Sequence, residues 1–136
     1  MTTIPTSHQD LLEEANPLTL ATVAKDGTPQ STVLWYLWDG DQFLLSTTRS
    51  RQKTENIEAN PNVSLLIIDP NNMYRYLEVR GTVSVSEEGG YELIDQLAKR
   101  YTGKDHYYGD IQPAERKAKE DRIILQIKPE HVVARG

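Results

Sequence analysis

Residues 18–48 read LTLATVAKDGTPQSTVLWYLWDGDQFLLSTT, and this stretch decides the fold. It divides into three segments of strand length, and residues alternate between two faces most clearly in the first. The tripeptides KDG and DGD separate the segments, and the glycine in each can adopt the positive φ of a tight turn. The stretch therefore predicts a three-stranded antiparallel meander with strands over Leu18–Ala24, Pro29–Trp38 and Gln42–Thr48.

The rest of the chain adds three strands and three helices, which complete a mainly β domain. Its most regular strand alternates Leu77, Val79 and Val83 on one face with polar residues on the other. The predicted elements are a helix over His8–Ala15 capped by Ser7, a helix over Arg51–Asn60, strands over Asn62–Asp69 and Arg75–Ser86, an amphipathic helix over Gly90–Tyr101, and a last strand over Arg122–Lys128 that continues to Val133. Residues 103–120 form an irregular polar segment with a short helix after Pro113. Six antiparallel strands with a few short helices predict a closed or nearly closed barrel.

Composition limits the class of protein. The 136 residues leave room for one domain, expected over residues 1–136, and their 38% hydrophobic and 26% charged fractions are those of a globular protein. A net charge of −5 argues against a protein that coats nucleic acid or an anionic membrane. The chain has no cysteine, which excludes disulfides and thiolate chemistry, and its first residues lack a signal-peptide pattern. We therefore expect a cytoplasmic protein.

The most informative polar segment is STTRSRQKT at residues 46–54, which leaves a strand and enters a helix. It places Arg51 and Lys53 in the first turn of that helix. The N-terminus of a helix already carries positive charge, so each cation there costs about 0.3–1 kcal/mol. A bound phosphate would reverse that cost by accepting hydrogen bonds from backbone amides, hydroxyls and both cations. The alternative is that these cations only project into water beside Glu55 and Glu58.

Other residues point to a cofactor rather than to catalysis by side chains. The segment 29–38 carries Trp35 and Tyr36, whose side chains lie on opposite faces, so one of them can pack in the core and the other against a planar ligand. Tyr107 and Tyr108 lie in the polar segment and are expected to be surface contacts. The three histidines show no ligand spacing, so no metal site is expected. Neither a nucleophile elbow nor a nucleotide-binding glycine pattern occurs, so an enzyme with this sequence needs a bound cofactor.

The residues STTRSRQKTENIEANP, VSLLIID, YLEVRGTVSV and DRIILQIKPEHV, in this order after the meander, resemble the flavin and deazaflavin oxidoreductase superfamily. This superfamily has the FMN-binding split β-barrel and includes the pyridoxamine 5′-phosphate oxidases. The resemblance runs from about Leu18 to Val132. The pattern of Arg51, Lys53 and Thr54, followed by Asn60-Pro61, is similar to the B-type branch, whose members use the deazaflavin coenzyme F420.

The resemblance implies a homodimer of split barrels with two cofactor sites in clefts shared between the subunits. It implies F420 as the cofactor and hydride transfer to a conjugated small molecule as the reaction. Residues 103–120 would select the substrate. The residues that it assigns to the cofactor are Thr32, Val33, Leu34 and Trp35 at the ring, Thr47, Thr48, Arg51, Lys53 and Thr54 at the phosphate, and Arg75.

The sequence departs from pyridoxamine 5′-phosphate oxidases in the strand that begins RYLE. Arg75 is retained there, but Tyr76 and Glu78 replace polar and cationic partners of the flavin, and the C-terminal substrate signature is missing. One cationic site can hold FMN as well as F420, so an FMN-dependent oxidoreductase or FMN-binding protein is the first alternative. A non-catalytic cofactor-binding module is the second. An oligonucleotide-binding barrel is disfavoured by the net charge of −5.

Overall fold

The computed structural model describes residues 3–136. Residues 1 and 2, with which the expected domain begins, lie outside the described residues. The described residues form three helices, α1 (Asp10–Glu13), α2 (Gln52–Ala59) and α3 (Gly90–Thr102). Seven antiparallel strands form one sheet: β1 (Leu18–Val23), β2 (Pro29–Leu34), β3 (Leu37–Trp38), β4 (Phe43–Thr48), β5 (Asn62–Asp69), β6 (Asn72–Ser86) and β7 (Arg122–Arg135). Short 3₁₀ helices over Thr6–His8 and Ala114–Lys119 complete the structure.

The connection between β2 and β3 makes the sheet curl. The strand order is β2-β1-β5-β6-β7-β4-β3, so β2 and β3 are its two edges. Only Trp35 and Tyr36 lie between these edge strands. The three Cα–Cα steps from Leu34 to Leu37 span at most about 11 Å, so the edges must lie close together and the sheet must close on itself as a half-barrel. The mainly β, barrel-like architecture predicted from the sequence is thereby confirmed.

The number of strands was predicted wrongly, because the single strand expected over Pro29–Trp38 is two strands. The backbone leaves β2 after Leu34 and joins the opposite edge at Leu37. Between them the backbone N–H of Tyr36 donates to Tyr101 Oη over 3.4 Å, instead of pairing in a ladder. The Tyr101 hydroxyl in turn donates to the Asn16 carbonyl over 2.8 Å. A side chain from α3 therefore satisfies the backbone where the strand is interrupted.

Two apolar layers hold the half-barrel together. Its interior is filled by buried side chains from β1, β4, β5, β6 and β7 together with α1 and α2, and it includes the fully buried Tyr36 and Phe43. A second cluster on the outside places Leu93, Ile94 and Leu97 of α3 against β3, β4 and β7. The periodicity of residues 90–101 predicted this apolar stripe, and α3 follows that range to within one residue.

The N-terminal helix differs from its prediction. A 3₁₀ turn over Thr6–His8 and the single turn α1 replace the helix expected over His8–Ala15. Ser7 does not cap it, since the Ser7 hydroxyl lies 2.8 Å from Nδ1 of the buried His8. The other ring nitrogen of His8 donates to the carbonyl of Arg135 over 2.8 Å. Contacts with β7, rather than helical capping, therefore fix this segment.

Among residues 3–136, no helix is long and apolar enough to cross a membrane.

The buried phenol of Tyr36 makes stability sensitive to alkaline pH. Burial raises the pKa of Tyr36 above its ordinary value of 10.0, and its hydroxyl donates to the Leu11 carbonyl over 3.2 Å. As pH rises past about 10, the unfolded chain releases this proton before the folded chain does, so the unfolding free energy falls. Tyr36→Phe is expected to remove the part of this alkaline fall that comes from Tyr36. Below pH 10 it is expected to lower the unfolding free energy by about 1 kcal/mol, because the hydrogen bond to Leu11 is lost. Urea unfolding across this pH range measures both effects. In the control Tyr74→Phe the ring is exposed, so no buried hydrogen bond is lost. An alkaline slope in Tyr36→Phe equal to that of the parent would contradict the assignment.

Candidate functional site

A cavity of about 470 Å³ opens where β4 ends and α2 begins. Its walls come from β2, β4, α2, α3 and β7, together with Pro17 and Tyr107. The lining residues are Pro17, Thr32, Val33, Leu34, Trp35, Ser46, Thr47, Thr48, Arg51, Lys53, Ile94, Leu97, Tyr107 and Arg122. One group of these side chains is cationic or carries a hydroxyl, and another is apolar or aromatic.

The hydroxyl residues at the end of β4 are held from both sides. Ser46 Oγ donates to the carbonyl of Gly90, at the start of α3, over 2.8 Å. Thr54 Oγ1, in the first turn of α2, donates to the Thr48 carbonyl over 2.9 Å. The Ser46 bond joins β4 to the start of α3, and the Thr54 bond fixes the exit of β4 relative to the entry of α2. Glycine is required at position 90, since a Cβ there would lie 2.7 Å from the Arg122 carbonyl oxygen.

Lys53 carries an unpaired charge in this cavity. Its side chain is buried, with 7% of the residue exposed, and none of the described residues 3–136 forms a hydrogen bond or ion pair with its ammonium group. Burial, together with the nearby charges of Arg51 and Arg122, lowers the pKa of Lys53. Three cations thus act on one another at the N-terminus of α2. A site of this kind favours an anion, because a bound negative charge offsets both the mutual repulsion and the helix dipole.

Arg122 is the most firmly held of these cations. Only 5% of it is exposed, and its guanidinium donates from Nε to Tyr108 Oη over 2.7 Å and from Nη1 to Ser46 Oγ over 3.3 Å. Tyr108 in turn donates to Glu120 Oε2 over 2.8 Å, and Arg122 Nη2 lies 3.4 Å from the same oxygen. The rings of Tyr107 and Tyr108 lie 4.8 and 5.5 Å from the guanidinium carbon. This network ties the segment 103–120 to the edge of the cavity.

The apolar part of the cavity is built around Trp35. The indole stacks on Tyr101 with ring centroids 5.5 Å apart and an interplanar angle of 11°, and Tyr107 meets it edge-on. Ile94 and Leu97 of α3 extend the same wall. Trp35 and Tyr36 lie on opposite sides of the sheet, as predicted, with Tyr36 in the interior core and Trp35 in the outer cluster. Tyr107 and Tyr108 were predicted as surface contacts, but both are half-buried against this cluster.

Most of the residues predicted for the site come together in the structure. Eight of them line the cavity: Thr32, Val33, Leu34, Trp35, Thr47, Thr48, Arg51 and Lys53. Thr54 does not, because it is fully buried and its hydroxyl is bonded to Thr48.

Arg75 is not brought to the cavity either. Its guanidinium donates to Asp69 over 3.0 Å and to Asp10 over 3.1 Å, and it also donates to the carbonyl of Ser7. Arg75 therefore joins α1 to the turn between β5 and β6. Tyr76 and Glu78 line a separate groove on the outer face of the sheet.

Sequence reasoning missed Arg122, together with the apolar residues that α3 contributes. Arg122 was placed at the start of a strand, but six other lysines and arginines lie at positions 99–119, and no local pattern distinguishes it from them. Its position depends on the register of β4 and β7, in which Arg122 is opposite Thr48. A prediction that paired the last strand with residues 43–48 in this register would have found it.

The half-barrel has a cavity with cationic side chains at one end and an aromatic wall, an arrangement that suits a planar phosphorylated cofactor. A family model described as "Pyridoxamine 5'-phosphate oxidase" matches residues 4–136. The chain therefore belongs to this family of split-barrel flavin and deazaflavin oxidoreductases. The superfamily resemblance seen in the sequence is thereby confirmed.

Individual relatives of the chain carry different names. A solved structure named "F420 Reductase" is 39% identical, covers 96% of this chain and 98% of its own, and superimposes with a TM-score of 0.82. General stress protein 26 of Bacillus subtilis is 29% identical over 90% of this chain and 81% of its own length. Pyridoxine/pyridoxamine 5'-phosphate oxidase of Dichelobacter nodosus is 47% identical over 55 residues, which make up 40% of this chain. The chain matches only 26% of the length of that oxidase.

Proposed function

We propose that this protein is an F420-dependent oxidoreductase that transfers hydride to an unsaturated or conjugated small molecule. The observation that carries the proposal is Lys53, a largely buried lysine with no acidic partner among residues 3–136. It lines a cavity with an aromatic wall together with Arg51 and Arg122. The residues present fit F420, which joins a planar ring to a phosphodiester. When bound and reduced, F420 supplies the hydride.

The chain's own residues bind and orient the cofactor and shield the reacting atoms from water. Arg51 and Lys53 bind the phosphodiester, with the hydroxyls of Thr47 and Thr48 beside them. Residues 32–35, at the end of β2 and directly after it, form the wall against which the ring would lie. Ile94, Leu97 and Tyr107 exclude water from the reacting atoms, and Tyr107 in the segment 103–120 contacts the substrate.

Two observations favour F420 over FMN. The neighbour named "F420 Reductase" is 39% identical and aligns over nearly the whole of both chains, whereas the match to the D. nodosus oxidase is confined to 55 residues. The sequence also departs from those oxidases at Tyr76 and Glu78, which stand where the oxidases have polar and cationic partners of the flavin. An FMN-dependent enzyme of the same fold is the second candidate, and the family description supports it. A non-catalytic module that binds the same cofactor is the third.

We also propose that the protein acts in the cytoplasm as a homodimer whose subunits share the cofactor cleft. Val33 borders the cavity, yet 67% of it is exposed, and exposed apolar side chains continue along the same outer face at Ile68 and Met73. A second subunit covering this face would bury those side chains and close the cavity. Light scattering is expected to give twice the mass of the chain, and Val33→Asp is expected to shift it towards the monomer.

Turnover tests the proposal directly. The protein is mixed with reduced F420 and a series of conjugated enones and quinones, and the loss of reduced cofactor is followed in the presence and absence of oxygen. Oxidation that depends on the acceptor and not on oxygen is expected, since a deazaflavin reacts poorly with oxygen. Stoichiometric binding without turnover of any acceptor would instead favour the non-catalytic module.

Acceptor preference tests the role of Tyr107. Tyr107→Ala enlarges the cavity beside Trp35, so the ratio of kcat/KM values for bulky and small acceptors is expected to rise about tenfold, the effect of one or two methylene-sized contacts. Tyr74→Ala, which removes an exposed tyrosine, is the control. Unchanged ratios in Tyr107→Ala would contradict a role for the segment 103–120 in substrate selection.

A further inference from the structure

Lys53 has the surroundings of a nucleophilic amine. Most lysines are protonated at neutral pH and unreactive, because water and carboxylates stabilise the ammonium form. Lys53 is buried, and no carboxylate among residues 3–136 pairs with it. It shares the cavity with the cations Arg51 and Arg122, whose charges disfavour its protonated form. The amine also borders an open cavity, so a small electrophile can reach it.

The same cavity favours electrophiles that carry a phosphate group. Arg51, Arg122 and the N-terminus of α2 attract a phosphate group, and the hydroxyls of Thr47 and Thr48 are beside them. A small molecule that joins a phosphate to an electrophilic carbon is therefore held with that carbon close to the Lys53 amine. Acyl phosphates have this chemistry, since their phosphate is both the recognised group and the leaving group.

We infer that Lys53 is a site of acylation by small acyl phosphates, and that its acylation switches off anion binding in the cavity. This inference rests on the phosphate-binding part of the proposed function. In the reaction, the Lys53 nitrogen forms a bond to the acyl carbon, the bond from that carbon to the phosphate oxygen breaks, inorganic phosphate leaves, and the amine proton passes to solvent. The product is a neutral amide. The cavity then loses one of its three positive charges.

The test compares lysines within the wild-type protein. The protein is incubated with acetyl phosphate, and acetylation of each lysine is followed over time by mass spectrometry of its peptides. Lys25 and Lys104 are exposed and serve as internal references. Lys53 is expected to react about tenfold faster than either, the factor given by one charge-assisted hydrogen bond to the phosphate. Inorganic phosphate is expected to remove this advantage by competition.

Two further comparisons separate phosphate recognition from simple reactivity. Acetic anhydride carries no phosphate, so the preference for Lys53 is expected to be smaller with it and unaffected by inorganic phosphate. Arg51→Gln is expected to reduce the preference, and Arg80→Gln, the same change on the outer face of the sheet, is expected to leave it intact. Acetylation of Lys53 no faster than that of Lys25 and Lys104, or a preference that inorganic phosphate does not reduce, would overturn the inference.

Cofactor titrations test the proposed function separately from the inference about Lys53. Selective acetylation of Lys53 without F420 binding would support the inference and remove the proposed function. F420 binding with unselective acetylation would overturn the inference and leave the proposed function standing. If Lys53 is acetylated selectively and the protein also binds F420, the acetylated protein is expected to bind F420 about tenfold more weakly than the unmodified protein, or weaker still.

Discussion

Replacing Arg51 or Lys53 by alanine is expected to weaken F420 binding by about 1.5–3 kcal/mol each, a factor of about ten to a hundred. Each variant removes a charge-assisted hydrogen bond to the phosphodiester. The loss is expected to shrink as salt is added, because Arg51 is exposed to solvent. Fluorescence titration of the cofactor at two ionic strengths measures both effects.

The stability of the same variants provides an independent check. Lys53→Ala removes a buried cation that has no acidic partner and lies at the positive end of α2. The unfolding free energy of the cofactor-free protein is therefore expected to stay level or rise slightly, although binding is lost. Arg80→Ala, on the outer face, is the charge-matched control for binding. Unaltered affinity in both Arg51→Ala and Lys53→Ala would remove the phosphate site from the account.

Arg122→Ala is expected to lower the unfolding free energy by about 3 kcal/mol, at the lower end of the cost of breaking a buried ion pair. Arg122 is almost fully buried, and its loss leaves Tyr108 and Ser46 each without a hydrogen-bond donor. The cost is limited because Tyr108 and Arg116 still reach Glu120. Urea unfolding of the cofactor-free protein measures it.

The matched control is Arg116→Ala, which removes the other arginine paired with Glu120. More than half of the Arg116 side chain is exposed, so its ion pair is worth less than about 1 kcal/mol. Arg122→Ala is also expected to weaken cofactor binding, whereas Arg116→Ala is not. Equal stability of the two variants would show that the network of Tyr108, Glu120 and Arg122 does not hold the segment 103–120 in place.

The sequence predicts the elements well where one periodicity continues without interruption. The alternation in β6 and the apolar stripe of α3 are local patterns, so each could be assigned without knowledge of its neighbours. The break between β2 and β3 could not, because Trp35 and Tyr36 keep the alternation of a strand. What ends the strand there is the position of the opposite sheet edge, and the hydroxyl of Tyr101, 65 residues away, satisfies the freed backbone.

In the candidate site, too, some residues could be predicted from local sequence, whereas others depend on how the chain folds. Thr47, Thr48, Arg51 and Lys53 lie within seven residues, and a strand that leads directly into a helix brings them together. Arg122 enters the site only through the register of β4 with β7. Arg75 is the opposite case, since it was predicted for the site and lies outside it. It was assigned to the cofactor by resemblance, but the fold places it between Asp10 and Asp69, whose positions depend on how α1 packs against the sheet.

The central claim is that the cavity at the N-terminus of α2 binds the phosphodiester of F420. Its most direct test is a fluorescence titration of the cofactor-free protein with F420 and, separately, with FMN, repeated for the double variant Arg51→Ala/Lys53→Ala. The account predicts tight binding of F420, weaker binding of FMN, and loss of F420 binding in the double variant. Binding of neither cofactor, or F420 binding of equal strength in the double variant, would contradict it.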